Sequence, residues 1–197
     1  MAKNRLKKQI EFAVEIDKLR EVERKTLLMS GVRSETSAEH SWHIALAALV
    51  LSEHARDKDL DLFHVLRMLP IHDLVEIDAG DTYCYDPMDN TMVKQKEQRA
   101  ARRIFHLLPL DQGQEFFAVW EEFEARATLE ARFANALDRF LPVISSFMTE
   151  GLEWKKRGIR RGQVEERARP ISEASPALFG CISRMIEEDV KKGLLRP

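Results

Sequence analysis

Apolar residues recur at three- and four-residue intervals along almost the whole chain, and no stretch sustains a period-two alternation. That pattern predicts helices. Residues 6–19 carry Ile10, Val14 and Leu19 near one stripe, so a first amphipathic helix is expected there with that stripe inward. The polar stretch SGVRSETSAEH (30–40) ends in Thr36-x-x-Glu39, a capping-box pattern at a helix start. EHSWHIALAALVL (39–51) then runs apolar from Ile44 to Leu51, predicting a second helix buried nearly all round. A third is expected over residues 60–69, bent or restarted at Pro70. In IHDLVEIDAGD (71–81), Gly80 stands where a helix C-cap belongs.

Turn formers crowd DTYCYDPMDN (81–90). Val93, Ala100, Ile104 and Leu107 mark the next helix, stopped by Pro109. Phe116, Phe117, Trp120 and Phe123 mark another, and Leu129, Phe133, Leu137, Phe140 and Ile144 a long one. A charged segment, EWKKRGIRRGQVEERARP (153–170), leads to a last helix over residues 175–190. The expected fold is all-α, a bundle of about eight helices forming one domain over residues 1–197.

Composition narrows the function classes. With 197 residues, 44% of them hydrophobic, the chain can bury a sizeable core. A net charge of −2 gives no general pull toward nucleic-acid polymers or anionic membranes, so an anionic ligand needs a local site. The basic run at 155–161 is followed by Glu165 and Glu166 and reads as a solvated face. No apolar run approaches the ~20 residues of a bilayer crossing, and the basic N-terminus is not followed by a signal-type apolar region. Cys84 and Cys181 make no framework and read as free thiols, which points to a reducing, cytoplasmic setting.

The informative residues are polar ones on apolar faces. His40 extends the stripe Ile44, Ala47, Leu51 backward by one turn, so its ring should point inward. His72 continues the face of Val65 and Leu69, and Asp73 adjoins it. Asp138 lies beside a strip of small residues, with Pro142 four residues on. Each has a plain structural alternative: a hydrogen-bonded core histidine, or a helix-edge aspartate paired with Arg139 or Arg132. Together, two imidazoles and two carboxylates suit a first-row divalent ion with room for water. They suit calcium less well, and no thiolates are present to close a structural zinc site.

E-H-S at 39–41, H-D-x-x-E at 72–76, G-D at 80–81 and the distant helical Asp138, in this order, resemble the HD-domain phosphohydrolases. RSETSAEHSW and HDLVEIDAGD are more closely similar to the branch containing bacterial 5'-deoxynucleotidases and their small HD-domain relatives. The resemblance covers roughly residues 10–145, leaving 146–197 as C-terminal helices packed on the core. It implies that His40, His72, Asp73 and Asp138 hold a divalent metal (Mn, Co, Mg, Zn, Fe or Ni) and that Glu76 and Asp81 are catalytic. It also implies a homodimer, and a small phosphate monoester as substrate, with deoxyribonucleoside 5'-monophosphates first.

Glu76 lies one helical turn after His72, where it can exchange protons with water or a leaving group. For substrate binding, Arg33 and Lys25 occupy the segment feeding the second helix, and His43 follows His40 by one turn. Relatives commonly carry a tryptophan where this chain has Thr26. Two other readings stand beside this one: a phosphodiester or alarmone hydrolase, and a metal-stabilised nucleotide-binding module without turnover.

Overall fold

The computed structural model describes residues 2–86 and 90–197. Its helices are α1 (Ala2–Ile16), α2 (Ser37–Leu51), α3 (Leu62–Met68), α4 (Glu76–Ala79), α5 (Asn90–His106), α6 (Leu110–Ala125), α7 (Leu129–Met148), α8 (Leu152–Arg157), α9 (Arg161–Ala168), α10 (Ile171–Ala174) and α11 (Pro176–Lys191). The all-α expectation holds, with one exception. Between α1 and α2 the chain forms a two-stranded antiparallel sheet, β1 (Glu23–Leu27) and β2 (Ser34–Thr36). The turn-forming stretch is described as far as residue 86, and its part at 87–89 lies outside the described residues.

Helix α7 is the hub. It packs on α2, α3, α6, α9, α10, α11 and β1. Thr128 starts it by accepting from the Ala131 amide at 3.2 Å. Ala131, Ala134 and Ala136 let neighbours approach closely, while Phe133, Leu137 and Phe140 fill the space between them.

Two expectations need correction. Of the expected stripe, Ile10 and Val14 on α1 face outward and only Leu19, in the 3-10 turn that follows, is buried; the helix buries Phe12 instead, edge-on to Phe116 at 5.6 Å. The large Phe12 ring offers more apolar area to the core than Ile10 or Val14, and its face turns in. On α2, Ile44 and Ala48 are fully buried, but Trp42, Leu46, Leu49 and Val50 are exposed. Its continuous apolar run is therefore buried on one side only, against α3 and α7. The charged segment 153–170 leads into the last helix as expected. It contains α8 and α9, which bury Trp154, Val164 and Ala168 and leave most of their charges to solvent.

Two local features position the site. Pro70 follows α3, and a 3-10 turn over His72–Val75 buries four consecutive residues before α4 begins. Gly80, at φ +76°, then ends α4 and turns the chain toward Asp81. At the start of α2 the capping box forms as expected. The Glu39 amide donates to Thr36 Oγ1 at 3.2 Å, and Glu39 Oε2 accepts from the Thr36 amide at 2.9 Å. His40 sits in the turn that this cap fixes. Thr36→Ala is expected to lower stability by about 1 kcal/mol in urea denaturation; an unchanged midpoint would remove the cap from the account of how His40 is placed.

Candidate metal centre and active-site cavity

Four polar side chains from three parts of the chain meet beneath a cavity. His40 comes from the first turn of α2 and is 1% exposed. His72 and Asp73 come from the 3-10 turn, and Asp138 from the middle of α7. Asp138 Oδ1 is 3.1 Å from His40 Nε2 and 3.9 Å from His72 Nε2, while Asp73 Oδ1 is 2.9 Å from His72 Nε2. His40, His72 and Asp73 each offer a ligand atom within 4.8 Å of the others.

This donor set fits a divalent cation. His72 Nδ1–H donates to the Leu69 carbonyl at 2.7 Å, which fixes the tautomer and frees the Nε2 lone pair. That Nε2 is buried and faces two carboxylate oxygens, Asp73 Oδ1 and Asp138 Oδ1. His40 Nδ1 lies 3.5 Å from Glu35 Oε1, so a buried carboxylate stands behind this imidazole as well. Charge follows the same logic. Burial works against charge on His72, yet Asp73 and Asp138 outweigh it and carry the imidazole up to about 9. Burial would raise Asp138, but the His40 hydrogen bond, Arg167 and the histidines hold it well below the usual carboxylate range. In the absence of metal, then, protonated imidazole neutralises the carboxylates.

The residue that the sequence reading missed is Arg24. It rises from β1 into the centre of the site. Its guanidinium donates to Asp73 Oδ2 at 3.0 Å and lies 3.2 Å from Glu35, 3.7 Å from Asp81 and 3.9 Å from Glu76. Burial opposes its charge, but Asp73, Glu76, Asp138 and Asp81 together hold it above its ordinary value. The strand explains the placement: Arg24 and Thr26 turn inward, while Glu23 and Lys25 are exposed. Glu35, likewise unnoticed, is buried in β2.

Glu76 and Asp81 are both here. Ser37 Oγ–H donates to Glu76 Oε2, anchoring one carboxyl oxygen. Burial, with Asp73 and Asp81 nearby, pushes Glu76 well above its ordinary value against the pull of Arg24. Asp81 is raised for the same first reason. Of the three expected substrate contacts, Lys25 reaches the cavity. Arg33 and His43 are not among the cavity-lining residues. Arg33 pairs with Glu39 at 2.5 Å on the surface, which occupies its guanidinium. His43 lies one turn beyond His40, and its ring adjoins Trp42 at 6.1 Å.

The cavity has a volume of about 220 Å³. His72, Asp73 and Asp138 line it together with Glu76 and Asp81. Tyr83, Tyr85 and Trp154 supply aromatic walls, and Arg126, Arg139 and Arg167 supply positive ones. Glu97 and Glu124 stand on another side: burial and the neighbouring Glu124 raise Glu97 to about 7, and burial with Asp138 raises Glu124.

The family model described as HD domain matches residues 16–179. The chain belongs to the HD domain family. A crystal structure of a "Predicted metal-dependent phosphohydrolase" from Magnetospirillum magnetotacticum MS-1 superposes with a TM-score of 0.96 at 46% identity, covering 100% of this chain and 98% of that one. The 5'-deoxynucleotidase HDDC2 of Homo sapiens is 29% identical over 123 residues, 62% of this chain and 58% of the human protein. Its Bos taurus counterpart is 27% identical over 147 residues, 74% of this chain and 70% of that protein. A conserved hypothetical protein from Pyrococcus furiosus shares the fold, at TM-score 0.60 and 20% identity, over 92% of this chain and 99% of that one.

Two stability predictions follow from the charges of this HD-domain site. Arg24→Met leaves Glu35, Asp73, Glu76 and Asp81 without their shared cation and is expected to cost about 3–5 kcal/mol. Equal stability of mutant and wild type in chemical denaturation contradicts that role. For Glu97, the folded pKa of about 7 exceeds the ordinary 4.5, so ionisation in the folded state is penalised. The penalty grows as pH rises between those values and is constant above them. Glu97→Gln should therefore gain on the order of 1 kcal/mol over wild type at pH 8 and less at pH 5, and an equal gain at both pH values contradicts it.

Proposed function

We propose that this HD-domain protein is a metal-dependent phosphohydrolase that releases phosphate from small phosphomonoesters, deoxyribonucleoside 5'-monophosphates foremost. One observation carries the reading: His40, His72, Asp73 and Asp138 converge under a small cavity, and Glu76 stands beside them with a raised carboxyl pKa. The similarity to proteins named 5'-deoxynucleotidase supports the choice of substrate. A cavity of about 220 Å³ suits a small molecule and excludes a folded polymer.

His40, His72, Asp73 and Asp138 would hold the ion, which, when bound, acidifies water and polarises a phosphoryl oxygen. The other roles belong to the protein. Ser37 fixes Glu76 Oε2, which leaves Oε1 to hold a proton for the departing ester oxygen. Asp81 and Asp73 grip Arg24 from two sides, so its charge offsets the carboxylates and lowers the cost of bringing a dianion near them. Tyr83, Tyr85 and Trp154 offer ring faces to the nucleoside.

The protein is a homodimer in this reading, with the outward stripe Trp42, Leu46, Leu49 and Val50 of α2 as the surface to be covered. Two free cysteines and the absence, among the described residues, of any helix long and apolar enough to cross a membrane accord with a cytoplasmic location.

The test is phosphate release from a panel of deoxy- and ribonucleoside monophosphates after chelation and resupply of manganese, cobalt or magnesium. Asp73→Ala should lose both metal and turnover. Glu76→Gln should keep the metal and lose about 100-fold or more in kcat. Full turnover in the Glu76 variant, or none from any monophosphate in well-folded, metal-loaded wild type, contradicts the reading.

A further inference from the structure

Five cationic side chains line the cavity, and they differ in what already neutralises them. Arg24 is surrounded by Glu35, Asp73, Glu76 and Asp81. Arg167 pairs with Asp138 at 3.4 Å. Lys25 and Arg126 are exposed, so water screens them. Arg139 is the exception. It is 5% exposed and has no carboxylate within 4.0 Å and no side-chain hydrogen bond among the described residues; its Nε is buried without a partner.

A buried guanidinium whose Nε–H lacks an acceptor is costly to keep, and burial with the nearby Arg167 and Arg126 outweighs the attraction of Asp138. An anion in the cavity removes both costs at once. The fork geometry of a guanidinium matches two oxygens of one phosphate, which a lysine cannot reproduce. Placement agrees. Arg139 directly follows Asp138 on α7, and both line the same cavity.

We propose that Arg139 is the substrate-binding residue that holds the phosphate of the monoester, with Arg24 reserved for balancing the carboxylates. Successive residues of α7 thus divide the work: Asp138 faces the ion and Arg139 faces the anion. Charge already committed to protein carboxylates is unavailable to a ligand, and Arg139 is the buried cation that has none committed. The proposal rests on the reading of the cavity as a phosphomonoester site, but it can be tested apart from turnover.

The probe is inorganic phosphate, titrated calorimetrically into manganese-loaded full-length protein. Wild type is expected to bind it, and Arg139→Met to bind it about 10- to 100-fold more weakly, with metal content and melting temperature retained. With a hydrolysed monophosphate, KM should rise by a similar factor and kcat should change much less. Arg139→Lys keeps the charge but loses the fork, and should fall between the two. Should Arg139→Met fail to fold, the lysine variant decides: a several-fold loss of phosphate affinity supports the proposal, and wild-type affinity overturns it. Absence of phosphate binding by wild type, or equal binding by a folded Arg139→Met, also overturns it. If wild type hydrolyses no monophosphate yet phosphate binding still depends on Arg139, this inference stands and the proposed activity falls.

Discussion

Asp73 is held from both sides. One carboxylate oxygen lies 2.9 Å from His72 Nε2, and the other accepts from Arg24 at 3.0 Å. A buried carboxylate survives only with such compensation, and here the compensation joins two halves of the site. On one side are the imidazoles and Asp138, which form the cation pocket. On the other are Glu35, Glu76 and Asp81, which share Arg24. Removing either partner exposes the remaining charge to a low-dielectric interior. The spacing of the two halves, and hence the distance between ion and proton donor, is fixed by one short side chain.

The scaffold serves that constraint. The 3-10 turn brings His72 and Asp73 in together because Pro70 ends the preceding helical direction. The capping box starts α2 at a defined residue, so His40 has a defined height against α7. Ser145 Oγ donates to the Leu27 carbonyl, pinning the strand that carries Arg24 to the helix that carries Asp138. Ser37, in the first turn of α2, anchors Glu76 in the first turn of α4. Asp73, Glu76 and Asp138 are thus each held by a neighbour from a different element, which is the physical basis of preorganisation.

Much of this was readable in the sequence, and what escaped has a common cause. His40, His72 and Asp138 stood out because polar side chains interrupted apolar stripes of helical period. Arg24 and Glu35 did not, because they lie on strands whose buried face is itself charged. In ERKTL, inward Arg24 and outward Lys25 look alike, so alternation of burial leaves no alternation of hydrophobicity. Arg33 looked better placed from chain position alone, but Glu39 both caps α2 and claims its guanidinium. Helix α2 misled in the opposite direction: eight apolar residues in a row suggested burial all round, and Leu46, Leu49 and Val50 among them are exposed. Periodicity reports which residues can be buried and says little about whether a partner is there to bury them.

Direct sight of the ion is the sharpest test of the account. Anomalous diffraction from crystals of the manganese-loaded protein should show one strong peak bonded to His40, His72, Asp73 and Asp138, with Arg24 still on the far oxygen of Asp73. A peak elsewhere, or an ion that leaves Asp138 unbound and paired only with Arg167, contradicts it.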